Sequence, residues 1–242
     1  MQSESVAAYD LPERVARYDT DMNLMHPNRP KMIDVAMEVI STVIGGPTVA
    51  IDLGIGTGFF TDRLLQRFPS ARVIAIDGAA AMMDLARARL GDRTERVQFV
   101  VGDFRSLETL LRDVGPVDAV VSSYALHHLN AAEKLELFRK SHELLRPGGI
   151  LVNADILVSE SEAAEKWVQQ IRVGGIVRRA SGRDPRFPDA AAVRVFLDEL
   201  EASDADQPLT LRQDVDLVCE AGFREVDVFW KEYREAVFGG VR

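Results

Sequence analysis

The chain has 242 residues and a formal net charge of −9, with 47% hydrophobic and 28% charged residues. That length suits one sizeable α/β domain better than two ordinary ones, and the balance is that of a chain able to bury an extensive core. The acid excess argues against a surface-wide nucleic-acid footprint, which needs clustered Lys and Arg against the phosphates. The single cysteine, Cys219, leaves no partner for an intrachain disulfide, and no Cys/His set has the spacing of a structural zinc site. Residues 1–12 lack the basic start and apolar run of a signal peptide, and no stretch of about eighteen apolar residues occurs. A cytoplasmic location is expected.

Residues 16–30 read as a polar lead-in, followed by a helix over 31–43 that places Met32, Val35, Ala36, Val39, Ile40 and Val43 at helical spacing and stops at Gly45-Gly46-Pro47. Strands are then predicted over 48–53, 71–77, 96–101, 117–122 and 149–155, with helices over 57–68, 79–90 and 131–145. Apolar runs bounded by Gly, Asp and Pro mark strands covered on both faces, hence a parallel, doubly wound α/β sheet. After Asp155 the rhythm changes. Helices over 159–179 and 189–200, joined by an Arg- and Pro-rich stretch, read as a helical cap insertion after the fifth strand. Its first helix is expected to start on a Ser159/Glu162 capping box and to bury Trp167 and Ile171. An acidic linker over 199–206 leads to a helix over 211–221, a strand over 223–230, and an antiparallel return over 234–238 that stops at Gly239-Gly240. The whole reads as one domain: lid and helices over 1–47, core over 48–155, cap over 156–208, and a C-terminal helix and hairpin over 209–242.

The turn Asp52-Leu53-Gly54-Ile55-Gly56-Thr57-Gly58 joins a buried strand to a helix. Glycines there let the backbone approach a ligand, and the helix N-terminus offers unpaired N–H groups. The next strand ends at Asp77-Gly78, where a carboxylate stands ready for ribose hydroxyls. The third ends at Gly102-Asp103-Phe104, a carboxylate for an adenine amino group and a ring to cover the base. A dinucleotide fingerprint wants Gly or Ala where Phe59 stands.

With that spelling the chain resembles the class I S-adenosylmethionine-dependent methyltransferases. The resemblance rests on VAIDLGIGTG (49–58), VIAIDGA (73–79), VQFVVGDF (97–104), VDAVVSSYALHHL (117–129) and LLRPGGILV (144–152). It implies a Rossmann-like, seven-stranded sheet whose last strand is antiparallel, in agreement with the hairpin read in the tail. It also implies that Asp52 and the Gly54, Gly56 and Gly58 backbone lie near the methionine portion of S-adenosylmethionine, with Asp77 on the ribose, Met82 and Phe104 flanking the adenine, and Asp103 at its amino group. Gly78, Gly102 and Ser122 join the candidate cofactor-binding set. Ile55 departs from the small residue common in the family, at a position that contributes mainly backbone.

The sulfonium makes the methyl electrophilic, so the expected reaction is in-line displacement onto an O, N or C atom of a small molecule, without a metal. His127, His128 and Tyr124, directly after the fourth strand, are the catalytic candidates. The Asn/Asp-Pro-Pro-aromatic turn of planar-amine methyltransferases is absent, which disfavours exocyclic amino groups of nucleic-acid bases but not their ring nitrogens, oxygens or carbons; with the acid excess, nucleic acid is not expected as a direct substrate. Tyr9, Tyr18, His26 and Arg29 are candidates for a lid, with Arg29 toward the methionine carboxylate. Arg172, Arg178, Arg179, Arg183 and Arg186 in the cap raise an anionic acceptor as a further expectation, and a homodimer is another. Two alternatives remain open. The layout also resembles enzymes that form carboxy-S-adenosylmethionine for tRNA wobble modification, and the cofactor motifs equally suit a non-catalytic S-adenosylmethionine-binding regulator.

Overall fold

The computed structural model describes Tyr9 and residues 11–242. Most of the segment read for a leader, residues 1–8 and Asp10, lies outside the described residues. Helices α1 (Pro12–Met25) and α2 (Arg29–Ile44) precede the sheet. Strand β1 (Val49–Leu53), α3 (Phe59–Arg67), β2 (Arg72–Asp77), α4 (Ala80–Leu90) and β3 (Val97–Val101) follow in alternation. A short helix α5 (Leu107–Leu110) leads to β4 (Val117–Ser123), α6 (Ala131–Leu144) and β5 (Leu145–Ile156). Helices α7 (Glu162–Ala180) and α8 (Ala190–Ser203) then separate β5 from α9 (Leu211–Glu220), β6 (Arg224–Glu232) and β7 (Glu235–Val241).

The seven strands form one sheet in the order β3-β2-β1-β4-β5-β7-β6. Strand β7 alone runs antiparallel to its neighbours, wedged between β5 and β6. Side chains alternate between two cores, as the period of a strand requires. Val73 and Ala75 pack with Met32, Ile40 and Leu64 on one face, and Ile74 and Ile76 with Phe138 and Val218 on the other. A third cluster, Val173, Ile176, Phe187, Val193 and Leu197, joins α7 to α8 and takes Leu24 and Met25 of α1 against it.

The structure corrects four local expectations. The polar lead-in is helix α1, whose charged residues face partners on the cap: Arg14 pairs with Asp204, Arg17 with Asp184 and Asp21 with Arg186. A helix satisfied by ion pairs on its polar side shows little apolar stripe. The cap's first helix starts later than expected, on Ser161, whose hydroxyl accepts from Ala164 N at 3.2 Å, while Glu165 reaches back to Ser159 N. Trp167 and Ile171 are 65% and 44% exposed rather than buried. Gly239 and Gly240 do not end a strand but lie inside β7. A Cβ at Gly239 would sit 1.9 Å from the Leu151 carbonyl oxygen, so the glycine permits a close strand-to-strand approach.

Between α6 and α9, Lys134 Nζ donates to both carboxylate oxygens of Asp214, at 2.8 and 3.1 Å, with both side chains fully buried. Removing one partner strands the other charge, at a cost of about 3–5 kcal/mol, whereas an apolar pair of similar volume is often tolerated. Lys134→Met is therefore expected to lose about 3–5 kcal/mol in urea unfolding. Lys134→Met/Asp214→Leu should recover most of it; an equal loss in the double variant would contradict this account.

Candidate active site

The carboxyl ends of β1, β2 and β3 form a ledge stitched by backbone. Gly54 N and Ile55 N donate to Ile76 O at 2.9 and 3.1 Å, and Gly102 N donates to Asp77 O at 2.9 Å. Asp77 closes the ledge with its side chain, accepting from Gly56 N at 2.8 Å and Ala79 N at 2.9 Å. At Gly54, with φ of +77°, a Cβ would meet that of Ala125 at 2.4 Å, so only glycine lets the first loop pass beneath the turn that follows β4.

This ledge forms one wall of a cleft lined by Gly54, Gly56, Asp77, Gly78, Met82, Asp103, Phe104, Arg29, Tyr124 and His128, each of them expected in the site. The structure places the remaining expected cofactor residues, Gly58, Gly102, Ser122 and Asp52, outside the cleft lining. Gly58 is the N-cap of α3, Gly102 turns the chain after β3, and Ser122 is buried and donates to Leu53 O. Asp52 is also buried. Its Oδ2 accepts from the Thr61 hydroxyl at 2.6 Å, its Oδ1 has no partner, and burial pushes its pKa up to about 7. Asp103 accepts from Arg105 N and Arg105 Nη1, both at 2.9 Å.

Arg29 is 5% exposed. Its Nη1 donates to Asp19 at 3.0 Å, its guanidinium lies 4.2 Å from the centre of the Phe59 ring, and its buried Nε has no partner. A buried guanidinium with a spare donor at the wall of such a cleft suits a carboxylate ligand. The glycine ledge, the strand-end acids, the Met82 and Phe104 surfaces and this spare donor together fit S-adenosylmethionine.

A second cavity of about 850 Å³ adjoins the cleft, lined by α1, α8 and the ends of β4 and β5. Tyr124 borders both. Its φ of +50° is unusual for a non-glycine residue and turns the chain sharply after β4. The Tyr124 hydroxyl donates to Glu235 Oε1 at 2.8 Å, and the same oxygen lies 2.8 Å from His26 Nδ1. Burial pushes the Tyr124 hydroxyl up, reinforced by Glu235, so it stays protonated. Burial lowers the His26 pKa despite Glu235. The carboxylate of Glu235 is held below its usual range by His26 and Tyr124, which outweigh its burial.

The expected His127 and His128 sit in a 3-10 turn, Leu126–His128, and part company. His128 borders the cleft, whereas His127 borders the larger cavity. Asp155 at the end of β5 accepts from His127 N at 3.0 Å and lies 2.6 Å from His127 Nδ1. Burial opposes a charged imidazole there, but Asp155 more than offsets it and raises the His127 pKa. Sequence reasoning missed Glu235, Asp155 and Asp206, because nothing local ties them to these histidines. Of the cap arginines, Arg172 is paired with Glu201 and Arg186 with Asp21 and Asp184, while Arg179 donates to Leu24 O.

A family model described as a methyltransferase domain matches residues 50–149. An uncharacterized methyltransferase of Oceanobacillus iheyensis is 30% identical over 65% of this chain and 70% of its own. A carboxy-S-adenosyl-L-methionine synthase of Nautilia profundicola is 22% identical over 95% of this chain and 93% of its own. Other curated methyltransferase relatives are spanned over about 60% of their length. Among solved structures, an O-methyltransferase family protein from Burkholderia thailandensis shares the fold with a TM-score of 0.68 at 18% identity, over 100% of this chain and 63% of that one. With the ledge and cleft in place, the chain belongs to the S-adenosylmethionine-dependent methyltransferases.

Proposed function

We propose that the chain methylates the hydroxyl of a small organic acceptor seated in the larger cavity, with His26 as general base. The observation that carries this reading is the imidazole of His26 on the cavity wall, anchored through Nδ1 by Glu235, which also holds the Tyr124 hydroxyl at the border with the donor cleft. The cavity volume falls within the roughly 300–1,000 Å³ of small-molecule sites. Bound S-adenosylmethionine supplies an electrophilic methyl. The chain's own residues orient the acceptor and take up its proton, which a hydroxyl must lose. Tyr124 positions Glu235, and Glu235 fixes the ring of His26. Arg29, Asp77, Asp103, Met82 and Phe104 hold the cofactor, and His127 and His128 shape the floor between the two spaces.

The cleft itself retains only about 70 Å³ of free space, with half-buried Tyr9 and Tyr18 along it. Their position over the cleft supports a lid role for the N-terminal segment, of which Tyr9 and residues 11–47 are described. Arg178 and Arg179 border a neighbouring cavity of about 260 Å³ and are the remaining support for an anionic acceptor. A second reading, formation of carboxy-S-adenosylmethionine, draws on the near full-length match to the Nautilia enzyme. Mass spectrometry of the ligand carried through purification separates the two by the mass of an added carboxylate.

Three outcomes are expected. Asp77→Ala removes the acceptor of two loop N–H groups and should weaken S-adenosylmethionine binding by about 10- to 100-fold in calorimetry, the loss of about 1.5–3 kcal/mol; unchanged affinity would disconnect Asp77 from the site. On an acceptor panel of phenols and other hydroxyl compounds, His26→Phe should lower kcat by about 10²- to 10⁴-fold with cofactor affinity retained. The groups facing His26 are Glu235, Tyr124, Arg172 and Arg234. Because burial lowers its pKa, activity should persist into acid and fall only below the ordinary histidine range. Glu235 works against that lowering, so Glu235→Gln should shift the acid limb to still lower pH; a limb that stays in place rejects His26 as the base.

A further inference from the structure

We infer that His127, His128 and Asp206 form a binding site for a divalent transition-metal ion at the junction of the donor cleft and the larger cavity. Asp206 Oδ1 lies 3.1 Å from His128 Nδ1 and 3.6 Å from His127 Nε2, and the three ligand atoms fall within 4.8 Å of one another. Bonds of about 2.0–2.2 Å from one ion separate its ligands by about 3.0 Å at right angles and about 3.4 Å at tetrahedral angles. The observed spacing needs only small side-chain adjustments to meet an ion.

Two further observations point to a ligand. His128 Nδ1 and Asp206 Oδ1 are both buried, His128 is 8% exposed, and apart from each other and the more distant His127 Nε2 neither atom meets a polar group. A buried polar atom without a partner is costly unless something binds it. His127 is prepared from behind: Asp155, itself 1% exposed, takes Nδ1 at 2.6 Å and leaves Nε2 toward Asp206. A carboxylate on the rear nitrogen of a histidine is the arrangement that fixes the tautomer and raises basicity in metal sites. The Asp206 loop is clamped to the histidine turn by Gln207 N donating to His127 O at 2.7 Å.

Two imidazoles and one carboxylate suit zinc, iron(II) or manganese(II) rather than magnesium or calcium, which favour oxygen-only sets. Three protein ligands leave coordination positions open. Since His128 borders the cleft while His127 and Asp206 border the cavity, an acceptor oxygen is the ligand to which such an ion is offered. This departs from the metal-free reaction expected of the sequence and does not depend on the identity of the base.

The test is direct metal binding to tag-free, full-length protein after chelator treatment, titrated with Co²⁺ alone and followed by visible absorption and by elemental analysis. Binding of about one equivalent with the spectrum of a nitrogen and oxygen ligand set is expected. Asp206→Asn and His128→Gln should abolish it, Asp155→Asn should weaken it by about 10- to 100-fold, and His142→Gln, remote from the cluster, should leave it intact. Absence of stoichiometric Co²⁺ binding by the wild-type chain overturns the proposal whatever the variants do, as does binding that survives both ligand substitutions in protein with an unaltered thermal transition. The titration uses neither cofactor nor acceptor, so its failure leaves the methyltransferase reading standing, and failure on the acceptor panel leaves the metal site standing.

Discussion

The carboxylate of Asp77 holds together the two loops on which the donor site is built. One oxygen takes the N–H of Gly56 and the other that of Ala79, so the loops after β1 and β2 are fixed to each other. Without that bridge the N–H groups that gather at the carboxyl edge of a parallel sheet would be satisfied by water in many arrangements. With it they form one ledge, continued by Gly102 N on Asp77 O, and the cleft-lining residues Asp103 and Phe104 follow from where that strand ends. Ligand sites at the carboxyl ends of parallel strands arise for this reason: the strands deliver several loops to one place.

Helix α1 links the ledge to the cap through charge. Asp19 takes Arg29 and the Thr57 hydroxyl and pairs with Arg89, while Arg14, Arg17 and Asp21 reach acids and an arginine on the cap. Partly exposed ion pairs contribute little individually, about 0–1 kcal/mol, and salt weakens them. The helix is also held by apolar contact, with Met22 buried in the core and Tyr18 and Met25 packed against it. Leu24 and Met25 at its C-terminal end pack against the cap core.

The larger cavity and the core behind it are built differently, from buried acids that each have a basic partner. Glu235 faces His26, Asp155 faces His127, and Asp214 faces Lys134. Buried charges survive only when paired, and pairing fixes the geometry of both members. The imidazoles that border the larger cavity are therefore oriented before any ligand arrives. Asp206 differs from this set in standing between two imidazoles, with one oxygen 3.1 Å from His128 Nδ1 and 3.6 Å from His127 Nε2.

Much of this was legible in the sequence. Alternating apolar runs and turn residues marked five parallel strands, because strands covered on both faces must be apolar throughout. The loop from Asp52 to Gly58 with Asp77 and Asp103 marked a nucleotide site, because strand-end acids and close-approach glycines sit at fixed offsets from local elements, and the family resemblance carried by those motifs named the donor. Helix α1 stayed hidden, since its polar residues are paired with a cap distant in the chain, and Gly239 passed for a terminator although its purpose is contact with Leu151. Only the tertiary structure decided what surrounds the larger cavity. Glu235 meets His26, and Asp155 and Asp206 meet the histidine pair, only because β7 folds back against β5 and the end of α8 returns to the end of β4. Local periodicity records which face of an element is buried; it carries no record of which distant charge will stand opposite.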